Sequence, residues 1–303
     1  MPHLTFSAPR SQPTLAARLK AGEFIVAPGV YDLISARVAD QAGFTALYMT
    51  GYGTVASYLG LPDAGLATYT DMRDRAARIA GVCATPLMAD ADTGYGGLLN
   101  VAHTVAGYET AGVQAIQLED QEFPKKCGHT PGRRVVPAED MVDKVRVAAA
   151  TRNSKDFLII ARTDARSALG LDEALRRAEM YLRAGADVLF VESPESVEEM
   201  RRIGKTFAGV PLLANMVEGG RTPLLQRDEL KELGYRIAIF PAAGFLAAAA
   251  ALRGIYAHLQ AAGSTQGTSV PLYEFGEFSR LMGFETVWNF EREWARPQAS
   301  GVR

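Results

Sequence analysis

Eight short apolar runs recur along the chain, and longer stretches with helical spacing separate them. Four of these runs carry a glycine ahead of several β-forming residues, and they occupy 42–51, 111–120, 184–193 and 233–242. Glycine commonly ends a helix because it adopts positive φ without a steric penalty. The other four runs lie at 24–29, 86–92, 157–164 and 211–216. Their nearly continuous apolar character predicts strands that are buried on both faces of a parallel sheet.

The intervening stretches carry apolar residues at helical spacing, as in 98–111 and 172–184. Eight strands that alternate with helices over roughly 250 residues predict a (β/α)8 barrel of the TIM type, an α/β fold. A doubly wound open sheet is the alternative, but the glycine-rich dinucleotide fingerprint is missing after the first strand. We therefore predict a catalytic barrel over residues 1–263 and a C-terminal helical extension over residues 264–303.

The predicted extension has a different texture from the barrel. It follows the linker-like segment GSTQGTS at 263–269, it reads as helical, and it contains both tryptophans, Trp288 and Trp294. An aromatic tail after a complete barrel needs a surface to pack against. The residues leave two alternatives open: contact with another subunit, or packing against the tail's own barrel.

Composition and charge exclude several classes of function. A formal net charge of −2 gives no electrostatic footprint for nucleic acid or an anionic membrane. The most apolar run, 242–252, is too short to cross a bilayer, which takes roughly 20 residues. The first 24 residues lack the apolar core of a signal peptide. Two distant cysteines, Cys83 and Cys127, do not make a disulfide framework. The sequence therefore predicts a soluble cytoplasmic protein.

Charged and amide side chains follow the predicted strands where each strand ends. They are Asp90 and Asp92 after the third strand, Glu119 after the fourth, Arg162 after the fifth, Glu192 after the sixth and Asn215 after the seventh. The carboxyl ends of barrel strands meet at one mouth, where catalytic residues of such barrels lie. We therefore expect these side chains to lie close together.

Three of these acids predict a metal site. Asp90 and Asp92 share one face of their strand because side chains alternate, and Glu119 lies on the next strand. A set of carboxylates without histidine or cysteine favours Mg²⁺, with Mn²⁺ as a substitute, over zinc. The alternative is that each acid caps the helix after its strand.

A long loop follows the fourth strand at residues 122–136, EFPKKCGHTPGRRVV. Its length and its proline, glycine and basic residues predict a mobile lid over the mouth. Cys127 lies among Lys125, Lys126 and His129, and cationic neighbours lower the pKa of a thiol. We therefore expect a thiol that exchanges a proton near neutral pH. The lysines fall in helices, loops or strand starts, which disfavours a Schiff-base aldolase and favours metal-dependent carbon–carbon chemistry.

Five motifs carry a family resemblance. ADADTGYGG (89–97), LEDQEFPKKCGH (118–129), ARTDA (161–165), VESP (191–194) and NMVEGGRTP (215–223) resemble the isocitrate lyase/phosphoenolpyruvate mutase superfamily. The match runs in order from about residue 24 to 245. Within that superfamily, KKCGH together with EGGRTP is most similar to the group of 2,3-dimethylmalate lyase, petal death protein and oxaloacetate hydrolase.

The resemblance implies an assembly and a metal site. The eighth helix would be swapped between partners, giving a homotetramer built from helix-swapped dimers. Mg²⁺ would be bound directly by Asp92, with Asp90 and Glu119 holding its waters. Asp63, in LPDAG, matches a further active-site acid of the family.

The resemblance also implies how a substrate is held. Backbone N–H groups of Thr50, Gly51 and Tyr52 would bind its carboxylate, and Arg162 would pair with a carboxylate through two parallel hydrogen bonds. Further substrate contacts are expected from Gly128, Glu192 and Asn215. Cys127 would act as general acid, with Lys125, Lys126 and His129 tuning its acidity.

These expectations describe a Mg²⁺-dependent lyase for a small di- or tricarboxylate substrate. It would cleave a 2-hydroxy, 2-alkyl dicarboxylate such as 2,3-dimethylmalate or 2-methylmalate to a 2-oxo acid and a carboxylic acid. The sequence does not assign the base. The alternatives are an oxaloacetate hydrolase that releases oxalate and acetate, and a methylisocitrate lyase. A phosphonomutase similar to carboxyvinyl-carboxyphosphonate phosphorylmutase and a non-catalytic metabolite-binding barrel are more distant.

Overall fold

A computed structural model describes residues 12–295 as one parallel barrel of eight strands. The strands are β1 Ile25–Val30, β2 Leu47–Met49, β3 Leu87–Asp90, β4 Ala115–Glu119, β5 Leu158–Thr163, β6 Val188–Val191, β7 Leu213–Asn215 and β8 Ile237–Phe240. Neighbouring strands pair in the order β6-β5-β4-β3-β2-β1-β8-β7. A single parallel bridge between Leu189 and Leu212 joins β6 to β7. Each predicted apolar run contains one strand, so the predicted (β/α)8 fold is confirmed.

Helices cover the outside of the barrel and continue beyond it. They are α1 Leu15–Lys20, α2 Leu33–Gln41, α3 Gly51–Leu59, α4 Tyr69–Val82, α5 Leu98–Thr110, α6 Ala138–Thr151, α7 Ala165–Leu169, α8 Leu171–Ala184, α9 Val197–Thr206, α10 Arg227–Glu232, α11 Ala243–Ala262, α12 Phe275–Leu281 and α13 Phe284–Trp294. The two helices predicted from spacing, 98–111 and 172–184, are α5 and α8 to within one residue. No helix over residues 12–295 combines the length and apolarity needed to cross a bilayer.

Two apolar cores explain the continuous apolar character of the strands. One lies between the strands and the surrounding helices, and the other fills the barrel interior with side chains such as Ile25, Met88 and Phe190. Leu15 of α1 belongs to the interior core, and its backbone N–H donates to Oε1 of Gln114 at 2.8 Å. Each large buried apolar side chain contributes roughly 1.5–3 kcal/mol. The packed interior leaves the mouth at the carboxyl ends of the strands as the place for polar chemistry.

The C-terminal helices differ in how far they pack against their own barrel: Leu281 of α12 is buried, and its carbonyl accepts from Nη1 of Arg37 of α2 at 3.2 Å. Ile255 is the one buried residue of α11, and α13 has none. Phe284, Trp288 and Trp294 are 47%, 44% and 58% exposed. Within the described residues, α12 therefore contacts its own barrel, whereas the aromatic side chains of α13 remain about half exposed. Residues 1–11 and 296–303, the two ends of the predicted domains, lie outside the described residues.

Candidate active site at the carboxyl ends of the strands

A cavity of about 60 Å³ lies at the barrel mouth, beneath the lid loop. The predicted site residues that line it are Thr50, Tyr52, Asp63, Asp90, Glu119, Lys125, Lys126, Cys127, Gly128, His129, Arg162 and Asn215. Gly51, Asp92 and Glu192 lie directly behind this lining and contact it. The fold thus brings together every residue that the sequence placed at the mouth.

Asp90 and Gly51 approach each other very closely. A Cβ atom on Gly51 would lie 2.3 Å from Oδ2 of Asp90, so the start of α3 requires glycine there. The backbone N–H of Thr50 donates to the carbonyl of Val30 at 3.1 Å. Among the three amides expected to hold a carboxylate, the first is therefore already used. Those of Gly51 and Tyr52 belong to a helix N-terminus that has no side-chain cap, and such amides attract anions.

The alternation of side chains along a strand predicted the position of Asp92 incorrectly. β3 ends at Asp90, and Asp92 adopts a left-handed backbone conformation with φ of 48°. Its own N–H donates to Oδ1 of Asp90 at 3.0 Å. Because the chain turns after Asp90, side-chain alternation no longer applies. Asp92 faces the lid residue Lys125 rather than the cavity.

Lys125, which the sequence placed in the lid, is buried between two acids. Its Nζ lies 2.7 Å from Oδ1 of Asp63 and 2.7 Å from Oδ1 of Asp92. Burial opposes its charge, but Asp92 and Asp63 hold the pKa of the ammonium group well above its usual value. Burial also raises the pKa of Asp92 to about 7, against the effect of Lys125. Lys125 therefore remains a cation, and the exclusion of imine chemistry rests on this pairing rather than on its distance from the mouth.

The buried charges at the mouth do not balance. Six buried carboxylates, Asp63, Asp90, Asp92, Glu119, Asp164 and Glu192, accompany three buried cations, Lys125, Arg133 and Arg162. Oε1 of Glu119 is buried and lacks a hydrogen-bond partner within the described chain. Burial raises the pKa of Glu119 well above its usual value, although Arg162 opposes this effect. An additional positive charge close to Glu119 would stabilise the ionised cluster.

The acids fit a hard divalent cation that is held mainly through water. Over residues 12–295, no three histidine, cysteine, aspartate or glutamate side chains converge closely enough to hold a metal ion by direct bonds. Carboxylate oxygens are the ligands that Mg²⁺ prefers, and Mg²⁺ in proteins usually keeps several waters. An excess of buried negative charge and an unpaired Glu119 oxygen are what such an ion would satisfy.

Arg162 and the lid share one carboxylate. Asp164 accepts from Nε of Arg162 through Oδ2 at 2.9 Å and from Nη2 through Oδ1 at 3.0 Å. The same Oδ1 accepts from Nη1 of the lid residue Arg133 at 2.6 Å. Although burial opposes its ionisation, Arg162 and Arg133 hold the pKa of Asp164 below its usual value. The remaining Nη1 of Arg162 lies 3.3 Å from Glu119 at the cavity, where it can meet a substrate carboxylate.

Behind this pair, a second buried acid fixes the position of Asp164. Oδ1 of Asp120 accepts from the backbone N–H of Asp164 at 2.8 Å, and Oδ2 accepts from the hydroxyls of Thr163 and Tyr181 at 2.7 Å each. Nη1 of Arg177 also donates to Oδ2 at 3.1 Å. Asp120 and Asp164 directly follow β4 and β5, but the sequence assigned them no function. Arg133 of the lid and Arg177 of α8 pair with these acids, and these two arginines were the feature of the sequence that could have indicated a shared network.

The lid is folded down onto the mouth. The Gly128 carbonyl accepts from Oγ of Ser193 at 2.9 Å, and the Cys127 N–H donates to the Asp63 carbonyl at 3.2 Å. A Cβ atom on Gly128 would lie 2.4 Å from Nη2 of Arg162. Glycine at this position is therefore a condition for closure. Ser193, which the sequence did not single out, is one contact point for the closed lid.

His129 is held as a neutral side chain. Its Nδ1 accepts from the backbone N–H of Arg221 at 3.1 Å, so the imidazole proton lies on Nε2, 3.4 Å from Oε1 of Glu192. Burial lowers the pKa of His129, although Glu192 opposes this effect. A Cβ atom on Gly220 would lie 2.7 Å from Nδ1. His129 therefore fastens the lid to β6 and to the turn after β7.

The predicted acidity of Cys127 was wrong in direction. Burial raises the pKa of its thiol to about 11, and the backbone N–H of His129 only partly opposes this effect. The two lysines do not surround the thiol, because Lys125 pairs with Asp63 and Asp92 while Nζ of Lys126 donates to the Gly132 carbonyl at 3.3 Å. Cys127 is thus a protonated thiol at neutral pH, able to donate a proton.

Comparison with known proteins identifies the family. Residues 15–260 match the family model for phosphoenolpyruvate phosphomutase. The chain belongs to the phosphoenolpyruvate phosphomutase family. This family lies within the isocitrate lyase/phosphoenolpyruvate mutase superfamily, so the predicted resemblance is confirmed.

Two relatives are similar over most of their length. A 2,3-dimethylmalate lyase from Eubacterium barkeri is 50% identical over 91% of this chain and 96% of its own. The petal death protein of Dianthus caryophyllus is 39% identical over 89% of this chain and 85% of its own.

Solved structures with two different activities are similar to this chain. A crystal structure of 2,3-dimethylmalate lyase is 40% identical, covers 96% of this chain and 99% of its own, and has a TM-score of 0.87. An oxaloacetate acetylhydrolase in complex with the inhibitor 3,3-difluorooxalacetate is 39% identical, covers 94% and 97%, and has a TM-score of 0.88. The overall fold therefore does not separate the two activities.

Proposed function

We propose that the protein is a Mg²⁺-dependent carbon–carbon lyase acting on a 2-alkyl, 2-hydroxy dicarboxylate such as 2,3-dimethylmalate or 2-methylmalate. The observation that carries the proposal is the closed lid, which places a protonated thiol over a mouth rich in carboxylates. The similarity to 2,3-dimethylmalate lyase over nearly the whole chain supports the same reaction class.

The reaction is a retro-aldol cleavage. A base accepts the proton of the 2-hydroxyl, the C2–C3 bond breaks, and C2 becomes the carbonyl of a 2-oxo acid. The electron pair of that bond remains on C3, next to a carboxylate. Cys127 donates its proton to C3, so 2,3-dimethylmalate would give pyruvate and propionate. Mg²⁺ held near Asp90, Asp92 and Glu119 would supply positive charge at the 2-hydroxyl and its neighbouring carboxylate.

Other groups of the chain bind and orient the substrate. The Gly51 and Tyr52 amides and Nη1 of Arg162 would hold the carboxylates of the substrate at the cavity. The closed lid excludes water, which would otherwise protonate or solvate the carbanion. Oε1 of Glu192 lies 3.4 Å from Nε2 of the lid residue His129, and Nδ2 of Asn215 orients Glu192 by donating to its Oε2 at 3.0 Å.

An oxaloacetate hydrolase that gives oxalate and acetate is the second candidate. It is favoured by the high TM-score of 0.88 to an oxaloacetate acetylhydrolase. Methylisocitrate lyases are also relatives, one from Aeropyrum pernix being 39% identical over 96% of this chain. Phosphonomutase chemistry is less well supported, because it has no use for a proton donor at Cys127.

A product assay separates these activities. The full-length protein with MgCl2 is offered 2,3-dimethylmalate, 2-methylmalate, 2-methylisocitrate and oxaloacetate in parallel. We expect pyruvate from the alkylmalates, and we expect a chelator to abolish it and added Mg²⁺ or Mn²⁺ to restore it. Oxalate from oxaloacetate, without turnover of the alkylmalates, would assign the protein to the hydrolase branch instead.

We also propose a homotetramer of helix-swapped dimers, located in the cytoplasm. The proposal is supported by α11 and α13, whose apolar side chains are exposed in the single chain. Apolar faces of this kind mark subunit contacts. Sedimentation at several protein concentrations should give four times the chain mass of 32.6 kDa. Deletion of residues 264–303 should then yield smaller species, and a monomer for the full chain would refute the swap.

A further inference from the structure

The cavity at the mouth has two chemically different halves. Its charged half lies at the ends of β3, β4 and β5 and under the lid, with Asp90, Glu119 and Arg162. The opposite half, which we call the apolar wall, lies at the ends of β7 and β8 and at the start of α3 and α11. It consists of Tyr52, Val217, Ile239, Ala242 and Phe245. The proposed metal site belongs to the charged half, and among the groups of the wall the proposed function uses only the backbone amides at the start of α3, not the apolar side chains.

Phe245 is the largest apolar side chain of this wall, and its ring is fixed from two sides. Its ring centroid lies 5.5 Å from that of Tyr52 and 6.2 Å, edge on, from that of Tyr31. A Cβ atom on Gly53 would lie only 3.0 Å from Cδ1 of Phe245. The glycine therefore lets α3 pack directly against the ring. A ring that is held in this way can measure the shape of a ligand, because it cannot move aside without a cost in packing.

The side chains of the wall offer no cation to pair with a carboxylate. The cations that line the cavity, Lys125, Lys126 and Arg162, all belong to β5 or the lid. A third carboxylate directed at the wall would lose its hydration without gaining a cation, which is unfavourable. An alkyl group in the same place would gain apolar contact. The wall thus favours substituted dicarboxylates over tricarboxylates.

We propose that Phe245, supported by Tyr52, determines which alkyl substituents the substrate carries. The proposal rests on the proposed function for its link to turnover, but its central claim concerns binding. Phe245 is a specificity-determining residue in this account and does not touch the breaking bond.

Binding of unreactive diacids tests the wall separately from catalysis. Succinate, methylsuccinate and 2,3-dimethylsuccinate lack the 2-hydroxyl and so cannot be cleaved by a retro-aldol route. Titration calorimetry with the full-length protein and saturating MgCl2 should show about fourfold tighter binding for each methyl group that contacts the wall. In Phe245→Ala this gain should fall below about twofold, while the affinity for succinate changes little.

Turnover should follow the same order. For the alkylmalates, Phe245→Ala should lower kcat/KM by roughly 10- to 200-fold more for 2,3-dimethylmalate than for malate. Phe245→Trp should narrow the pocket and reverse the preference toward the smaller substrate. Leu246→Ala is the matched control, since Leu246 is exposed on the same helix and does not line the cavity. It should leave the ratio between substrates unchanged.

Several outcomes would overturn the proposal. If Phe245→Ala loses affinity equally for every diacid, Phe245 has a structural role only. The same conclusion follows if the wild type binds the methylated diacids no more tightly than succinate. If Phe245→Ala fails to fold, Phe245→Leu decides between the same alternatives. A wild type that binds the methylated diacids more tightly but cleaves no alkylmalate would refute the lyase and leave the wall intact.

Discussion

Replacing Cys127 with serine is expected to lower kcat by about 10²–10⁴-fold, the range that a positioned general acid contributes. The thiol is held over the cavity by the closed lid, and burial raises its pKa to about 11, so it carries its proton at neutral pH. A serine hydroxyl is a much weaker acid and would deliver a proton to the carbanion slowly. Steady-state kinetics with 2,3-dimethylmalate would measure the loss, with KM changing little because substrate carboxylates are held elsewhere. Full turnover in Cys127→Ser would remove the thiol from the mechanism.

Cys83→Ser is the matched control for this substitution. Cys83 is buried at the end of α4, away from the cavity, so its replacement can affect stability but should not lower kcat.

The raised pKa of Cys127 gives an independent signature in the wild type. A thiol with a pKa of about 11 rather than 9.0 has about 100-fold less thiolate at pH 8. Alkylation of Cys127 by iodoacetamide should therefore be slow at pH 8 and accelerate up to pH 11, and rapid reaction near neutral pH would contradict the assignment.

Replacing Asp164 with asparagine should cost about 3–5 kcal/mol of the free energy of unfolding, as expected when one partner of a buried ion pair is removed. Arg162 and Arg133 would both lose the negative charge that compensates them. Because Arg133 belongs to the lid, kcat/KM should fall as well. Urea unfolding at a fixed protein concentration measures the first effect, and kinetics measure the second.

Glu198→Gln is the control, because it removes one carboxylate from the exposed pair with Arg201. Its free energy of unfolding should stay within about 0.5 kcal/mol of the wild type.

The effect of Asp164 on stability should depend on pH with a definite sign. Since the pKa of Asp164 is lowered in the folded protein, its contribution is present above its unfolded-state value, about 3.9, and is lost as the pH falls further. The difference between wild type and Asp164→Asn should accordingly shrink in acid, and a difference independent of pH would exclude this ion pair as its source.

The fold followed from the sequence because each strand is buried on both faces. Residues such as Ile159 and Ile160 face opposite cores, so both positions had to be apolar, and the resulting run was visible without other information. The mouth could be predicted for a related reason. In a barrel every strand ends at the same rim, so Glu119 and Arg162 had to meet whatever the details of packing.

The conformation of the lid was harder to predict from the sequence, because it depends on contacts between residues that are distant along the chain. Lys125 pairs with Asp63 and Asp92, and Arg133 pairs with Asp164. None of these three acids is a neighbour of its partner along the chain. The pKa of Cys127 could not be predicted because nearby lysines in the sequence suggest a low value, whereas burial in the folded lid produces a high one. Asp92 was misplaced because a turn with positive φ leaves no signature in strand alternation.

Three glycines at the mouth limit how this barrel can diverge. Gly51, Gly128 and Gly220 each lie where a single added carbon would collide with Asp90, Arg162 or His129. Substitution at any of them blocks closure or displaces a charged group, whatever the substrate. Residues of the apolar wall such as Val217 and Phe245 carry no such restriction. New substrate preferences can therefore arise in this lineage by exchanging side chains on one half of the cavity, while the other half and its backbone remain fixed.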